Sequence, residues 1–234
     1  PEPQIKTLGQ LVRGAQVLGA RLDEELNGGL AALRQMVCSV PPQHMFGLEA
    51  SVMLPWVYGM AVHDGRPLLP ADVRATFERC TEGAVWIATP LHLRALVLSG
   101  AQLGAQSGAQ LGAQLGAQSD DLLPRCAGVL ASTMPLAPAL AQQTEAALNA
   151  PVMEIYGSTE TGAVATRRTA HSTTWRPVRG VEFKPAAHDT LIWGAHFPSP
   201  QTLADQIEVD EQGGFRLLGR RGDLIKIAGR RGSL

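Results

Sequence analysis

Val152-Met153-Glu154-Ile155-Tyr156-Gly157-Ser158-Thr159-Glu160-Thr161-Gly162 is the most informative stretch of the chain. Its first five residues form a short, mostly apolar run. The next six form a hydroxyl-rich turn closed by glycine. A run of that length and make-up, stopped by a turn, reads as a buried strand that delivers polar groups at its carboxyl end. Working back toward the N-terminus, the same unit recurs. A strand over 127–131 precedes a helix over 136–148, and a strand over 84–88 precedes a helix over 90–98. Met36-Val37-Cys38-Ser39-Val40, ended by Pro41-Pro42, is a third strand. It leads to a helix over 47–60 that Pro55 should bend, and Pro70 opens a helix around 71–80. Residues 7–26 place Leu8, Leu11, Ala15, Leu18 and Leu22 at helical spacing, with Thr7 as N-cap and Asn27-Gly28-Gly29 as the stop. Short apolar strands alternating with helices predict an α/β fold: βαβ units with right-handed crossovers and a parallel sheet.

Beyond Gly162 the texture changes. Residues 182–184, 190–193, 206–209 and 215–218 read as short strands separated by Gly, Pro and Asp turns, without helical periodicity. A small antiparallel sheet or barrel is expected there. The division that follows is an α/β part over 1–162 and a β-rich part over 163–218. Residues 219–234 form a third segment.

Composition narrows the function classes. Of 234 residues, 45% are hydrophobic and 18% charged, which is a folded rather than a disordered composition. Twenty basic against 21 acidic residues give a net charge of -1, so neither a nucleic-acid binder nor a polybasic membrane-surface protein is indicated. No apolar run approaches the roughly 20 residues of a membrane span. Cys38, Cys80 and Cys126 are odd in number and lie far apart. They exclude a disulfide scaffold and a Cys-rich zinc site, and they point to a reducing, cytoplasmic setting. Residues 100–119 are five tetrapeptides, GAQL or GAQS. A period of four lies close to the helical 3.6, but a glycine in every unit opposes helix by about 1 kcal/mol each. The segment reads as a low-complexity loop or helix extension, with an interaction arm as the alternative. The chain opens at Pro1 and closes after Arg230-Arg231-Gly232-Ser233, and is read as a piece of a longer protein.

On chemistry alone, Tyr156 offers a ring to stack on a purine, Ser158, Thr159 and Thr161 offer hydroxyls to phosphate, and Glu160 offers a hard oxygen to Mg²⁺. A polar turn ending in glycine would look the same. Gly219-Arg220-Arg221-Gly222-Asp223-Leu224-Ile225-Lys226 is by itself an ordinary basic turn before a strand. His44, in Gln43-His44-Met45-Phe46-Gly47, is by itself a turn histidine.

Taken together and in this order, the three segments resemble the adenylate-forming superfamily of acyl- and aryl-CoA synthetases, peptide-synthetase adenylation domains and luciferases. The first is similar to that family's aromatic-Gly-x-Thr-Glu motif, and the segment from Gly219 to its hinge motif. The family places an aspartate fifteen residues before the hinge arginine, which here is Asp205 before Arg220. The resemblance implies that Tyr156 stacks on adenine, that Gly157 belongs to the nucleotide site, that Thr159 meets the α-phosphate, and that Glu160 holds Mg²⁺. It implies that Asp205 takes the ribose hydroxyls and that Arg220 touches ribose or phosphate. Ser132-Thr133-Met134-Pro135 resembles the segment lining the adenine and acyl pockets, and His44 with Phe46 the border of the acid pocket. Ser132 and Thr133 equally suit capping of the helix that follows.

The resemblance further implies a reaction: a small aryl or acyl carboxylic acid and Mg-ATP give acyl-AMP. The acyl group then passes to a thiol, either coenzyme A or the phosphopantetheine of an acyl carrier protein. Aryl-polyene pathway ligases are one such type. Three departures stand out. The family's phosphate loop has no counterpart, with Pro1 to Lys6 resembling only its tail. The hinge position holds Gly222, with Asp223 beside it. The family's C-terminal adenylation lysine is absent, and Lys226 does not take its role.

Overall fold

A computed structural model of the chain describes residues 4–26, 29–30, 33–107, 123, 125–185, 190–220, 224–227 and 230–233. Helix α1 (Leu8–Glu25) starts as its sequence predicts. Thr7 accepts from the Gln10 backbone, and the Gln10 side chain accepts from Thr7 N, which closes a capping box. Strand β1 (Gln35–Cys38) follows, then α2 (Met45–Gly47), a π-helical turn (Leu48–Met53) and α3 (Leu54–Tyr58). The expected bend at Pro55 is instead a widening of the helix ahead of it. Proline has no N–H to give and its ring crowds the carbonyl four residues back, so the preceding turn opens to π spacing. Pro55 then sits in the first turn of α3, where it is tolerated.

The chain continues through β2 (Ala61–Val62), α4 (Pro70–Glu78), β3 (Ala84–Ala88), α5 (Pro90–Ser107), β4 (Cys126–Ala131), α6 (Pro138–Leu148), β5 (Val152–Ser158), β6 (Gly162–Arg167) and β7 (Arg176–Pro177). These seven strands form one sheet in the order β2-β1-β3-β4-β5-β6-β7. The first five are parallel, as expected, and β6 and β7 add antiparallel along one edge. The sheet therefore runs past Gly162, into residues where the sequence signalled no strand before 182. Helix α5 also runs beyond the expected 98, through the first repeats. The rest of the GAQ tract, from 108 on, and the Asn27-Gly28 stop lie outside the described residues.

The sheet is covered on both faces. Val37, Trp86, Val129 and Val152 stand in register across four strands and pack under α4, α5 and α6 with Phe77, Leu93 and Leu140. The alternate residues Val85, Ile87, Leu130 and Met153 face α1 and α3 with Leu18, Leu22 and Leu54. Trp86 is fully buried, and its indole N–H donates to Ser39 Oγ at 2.9 Å. The three cysteines are buried and form no disulfide, and among the described helices none is long and apolar enough to cross a membrane.

The β-rich part comprises a three-stranded antiparallel sheet of β8 (Glu182–Pro185), β9 (Thr190–Trp193) and β10 (Gln201–Thr202). A two-stranded pair completes it, β11 (Asp205–Val209) with β12 (Phe215–Arg220), and a separate pair, β13 (Leu224–Ile227) with β14 (Arg230–Ser233), lies in the last segment. Trp175, Ile192, Phe197 and Phe215 form its own core, which Tyr156 joins from the end of β5.

Candidate functional site

Four parallel strands release the chain at one place. Pro41 lies just past β1, Thr89 past β3 and Ser132 past β4, while Gly157 and Ser158 end β5. With His44, Phe46, Glu49, Thr133 and Thr159 they line a cavity of about 370 Å³. Strand β1 has β2 on one side and β3 on the other, so the connection leaving β1 and the one leaving β3 run in opposite directions across the sheet. That is where open α/β sheets hold ligands.

The hydroxyl-rich turn is the tip of the β5–β6 hairpin. Ser158 N donates to Thr161 Oγ1 at 3.1 Å, Thr161 N donates to Ser158 Oγ at 3.3 Å, and the Thr161 hydroxyl donates to Gly162 O at 2.8 Å. Thr161 is buried and brace-like, whereas Thr159 is exposed on the cavity wall. Lys6 Nζ donates to Glu160 O at 2.8 Å. Hydrogen bonds from Ser158 and from its own backbone, aided by the Lys6 charge, hold the Glu160 carboxyl below the usual carboxylate range against partial burial. Burial in turn lowers Lys6, which Glu49 and Glu160 resist. Among the described residues no three His, Cys, Asp or Glu side chains converge. A divalent ion at Glu160 would therefore be completed by ligand oxygens, the pattern of Mg²⁺ on nucleotide phosphates.

On the other side of β5, the Tyr156 hydroxyl donates to Asp205 Oδ2 at 2.8 Å. Its ring lies 5.5 Å from Trp175 and 5.7 Å from Phe215, centroid to centroid. Asp205 pairs with Arg220 across β11 and β12. The Arg220 side chain, Gly222 and Asp223 lie outside the described residues.

Ser132 and Thr133 do not cap α6, whose N-cap is Ala137 without a side-chain bond. Ser132 Oγ donates instead to Ile155 O at 2.8 Å, tying the end of β4 to β5. Thr133 has φ 80°, a conformation a β-branched residue rarely adopts and one that marks a strained turn at the cavity. Met134 and Pro135 are exposed in the same turn, off the cavity wall.

Two buried acids escaped the motif reading. Glu154 sits beneath the Ser132–Leu136 turn. Glu49, only 4% exposed, accepts from Ala163 N at 2.8 Å through Oε2. The opposite side of Ala163 is held by His196, whose Nε2 donates to Ala163 O at 3.0 Å. The available signal was a lone acid inside the apolar run from Leu48 to Leu54.

Burial raises the Glu49 carboxyl to about 7, against the opposing effects of the Ala163 N–H and of Lys6. Below pH 4.5 both folded and unfolded chains hold this proton. Between there and about pH 7 only the folded chain does, so stability from this group declines as pH rises and is flat above. The full effect is on the order of 3 kcal/mol. Lys6 and, across Gly14, His196 are the other titratable groups facing it. Glu49→Gln should thus raise Tm by several degrees at pH 8 and leave it nearly unchanged at pH 4.5, read by circular dichroism at both values. An equal shift at both would show that the carboxyl is not the source.

Comparison with known proteins sets this geometry in a family. A 4-coumarate–CoA ligase of Cereibacter sphaeroides is 24% identical over 232 residues, 98% of this chain and 47% of the relative. The O-succinylbenzoate coenzyme A synthetase of Bacillus subtilis, solved with AMP, superposes with TM-score 0.75 at 18% identity. That match covers 99% of this chain and 49% of the synthetase. The same synthetase matches in its complexes with ATP and magnesium ion, TM-score 0.71, and with its acyl-adenylate intermediate, TM-score 0.73. An acyl-CoA synthetase (AMP-forming)/AMP-acid ligase II-like protein of Dyadobacter fermentans matches at TM-score 0.68 and 21% identity, over all of this chain and 60% of that one. The chain spans about half the length of the curated relative it matches. At these identities the solved structures speak for the fold. The AMP-binding enzyme family model itself covers residues 8–190, well over half of the sequence and every strand of the large sheet, and so the chain belongs to the AMP-binding enzyme family.

Proposed function

We propose that this chain carries the adenylate site of an acid–thiol ligase. In the first half-reaction a carboxylate oxygen of a small aryl or acyl acid attacks the α-phosphorus of ATP, forming acyl-AMP and releasing pyrophosphate. In the second, the sulfur of coenzyme A or of carrier-protein phosphopantetheine attacks the acyl carbon, and AMP leaves. The observation that carries the reading is the meeting of His44, Ser132, Thr133 and the Gly157–Thr159 tip around one cavity at the carboxyl ends of the parallel strands. The Tyr156–Asp205 pair stands next to it along β5.

In this reading Thr159 presents its hydroxyl to the α-phosphate and Asp205 accepts from the ribose hydroxyls. Tyr156, fixed by Asp205 and its aromatic neighbours, presents a ring for adenine. Glu160 would hold Mg²⁺, which would supply positive charge to the phosphate oxygens. His44 and Phe46 border the acid. The segment from Gly219 through Gly222 and Asp223 serves as a hinge, with Arg220 toward the ribose. Positioning and electrostatics supply the catalysis, and no protein nucleophile takes part. A second reading is that these 234 residues bind the acyl-adenylate without forming it. It is favoured by their spanning about half of the relatives' length.

Thermal unfolding with a non-hydrolysable acyl-sulfamoyl-adenosine tests the shared core of both readings. At 100 times its Kd the ligand should add about 2.7 kcal/mol of stability, and Asp205→Ala should abolish the shift. A folded sample that gains nothing from the ligand would remove the adenylate site. Stabilisation without turnover of acid, ATP and thiol would select the second reading.

A further inference from the structure

Thr89 lies on the cavity wall between β3 and α5, and its carbonyl accepts the first helical bond, from Leu93 N at 3.2 Å. Its own N–H and its hydroxyl both meet one atom, His92 Nδ1, at 3.1 and 2.9 Å. An amide N–H can only donate, so Nδ1 carries no proton and the ring is the neutral tautomer with hydrogen on Nε2. The hydroxyl must then donate to Nδ1 as well. Its proton is turned toward the helix, and its oxygen keeps only acceptor capacity for anything in the cavity.

His92 is the third residue of α5, the place from which a glutamine or glutamate reaches back to the N–H ahead of the helix. Gln10 does so in α1, accepting from Thr7 N at 2.8 Å. A histidine in that place is a different device, because Nδ1 accepts only while it is bare. Protonation sets Nδ1–H against Thr89 N–H, donor against donor, and puts a cation at the positive end of an 18-residue helix. Burial opposes the charge too and holds the imidazole below its ordinary range, and among the described residues no charged group offsets that. Of the elements packed on α5, β3 carries no charge. On α6, Glu145 is held by Arg168, and on α4, Arg74 bonds Ser99 while Asp72 and Glu78 are exposed.

We propose that His92 is a positioning residue for the adenylate site, and an acid-sensitive one: neutral, it pins Thr89 to the helix end with the hydroxyl oxygen left to accept from a ligand, and protonated, it releases Thr89 and loosens the wall there. The inference rests on the adenylate-site reading, because ligand affinity is what the change acts on.

Three chains separate this role from helix capping alone. They are the wild type, His92→Gln, which keeps an acceptor for Thr89 N but cannot be protonated, and His92→Leu, which has none. Benzoyl-sulfamoyl-adenosine is titrated calorimetrically into each at pH 8 and pH 4.5. The imidazole nitrogens are followed by long-range ¹H–¹⁵N NMR over the same range, with the signal missing from His92→Gln giving the assignment. At pH 8 the wild-type ring should show a bare Nδ1 and a protonated Nε2. His92→Gln should bind there about as tightly as the wild type, and His92→Leu about fivefold more weakly, the worth of one hydrogen bond. At pH 4.5 the wild type should have lost about fivefold more affinity than His92→Gln. His44 and Glu49, the other titratable groups on the cavity wall, act in both chains and cancel. A protonated Nδ1 at pH 8, or equal pH dependence in the wild type and His92→Gln, would overturn the inference and leave the adenylate site standing. If no chain binds the ligand, the adenylate-site reading falls and takes this inference with it. Should His92→Leu not fold, the wild type and His92→Gln still decide.

Discussion

Glu154→Ala is expected to lower stability by about 3–5 kcal/mol, or roughly 6–20 °C in Tm for a domain of this size. Glu154 is 3% exposed and has three partners. Arg167 Nε donates to its Oε2 at 2.8 Å, the Thr169 hydroxyl donates to the same oxygen, and Leu136 N donates to Oε1 at 3.0 Å. Alanine removes the acceptor of Leu136 N and of the Thr169 hydroxyl and takes the carboxylate from the half-buried Arg167 guanidinium, which keeps only Thr169 Oγ1 at 3.2 Å and Thr173 O at 3.5 Å, so the loss exceeds that of any one hydrogen bond. Arg167 also lies over the Trp175 ring at 4.3 Å, and its displacement would loosen the aromatic core that seats Tyr156. The Leu136 bond anchors the turn containing Ser132 and Thr133, so the acyl-sulfamoyl-adenosine should bind less tightly as well. Thermal melts followed by circular dichroism decide it. A Tm within 2 °C of the wild type would mean that solvent replaces these partners and that the network is not structural.

Gly157→Ala should be comparably severe for a different reason. A Cβ at that position would stand 2.0 Å from Gly162 O, 2.9 Å from Gly162 C and 3.2 Å from Ala163 Cα. All three are backbone atoms, so no rotamer change relieves the clash and the two arms of the hairpin must part. We expect a cost above about 3 kcal/mol, together with loss of ligand-induced stabilisation, since Thr159 sits at the tip of the parted arms. Gly65→Ala, where a Cβ meets nothing within 4 Å, is the control and should stay within about 0.5 kcal/mol. Near-equal melting of the two variants would show that the close approach across the hairpin is not needed.

The sequence made the large sheet readable where local rules suffice. Strands β1, β3, β4 and β5 are apolar runs of strand length bounded by Pro, Gly or polar turns, and α1 announces itself through Thr7 and the spacing of its apolar residues. Strand β6 was not readable. Gly162-Ala163-Val164-Ala165-Thr166-Arg167 is made largely of small residues without alternation. It becomes a strand because β5 offers it an edge and Tyr156 faces Ala165 across the ladder. The polar turn was visible as a candidate, yet the inward use of the Thr161 hydroxyl was not, since it depends on the fold-back to Ser158 and Gly162. Glu49 shows the limit most clearly. Its burial is made by Gly14 and Ala163, residues far from it in sequence, and no spacing rule connects the three.

The GAQ tract lies wholly within the crossover that joins β3 to β4, adjacent parallel strands. That location makes its copy number a nearly neutral character. Adding or losing a tetrapeptide by slippage of the coding sequence shifts no strand register, because both anchoring strands keep their partners. It moves no cavity residue, because Thr89 and Ser132 are fixed from the sheet side. Doubling the length of a connection costs only about 0.6 kcal/mol in closure entropy. Selection for the fold therefore exerts little pressure on the number of units, and chains differing only in that number should share one sheet and one site.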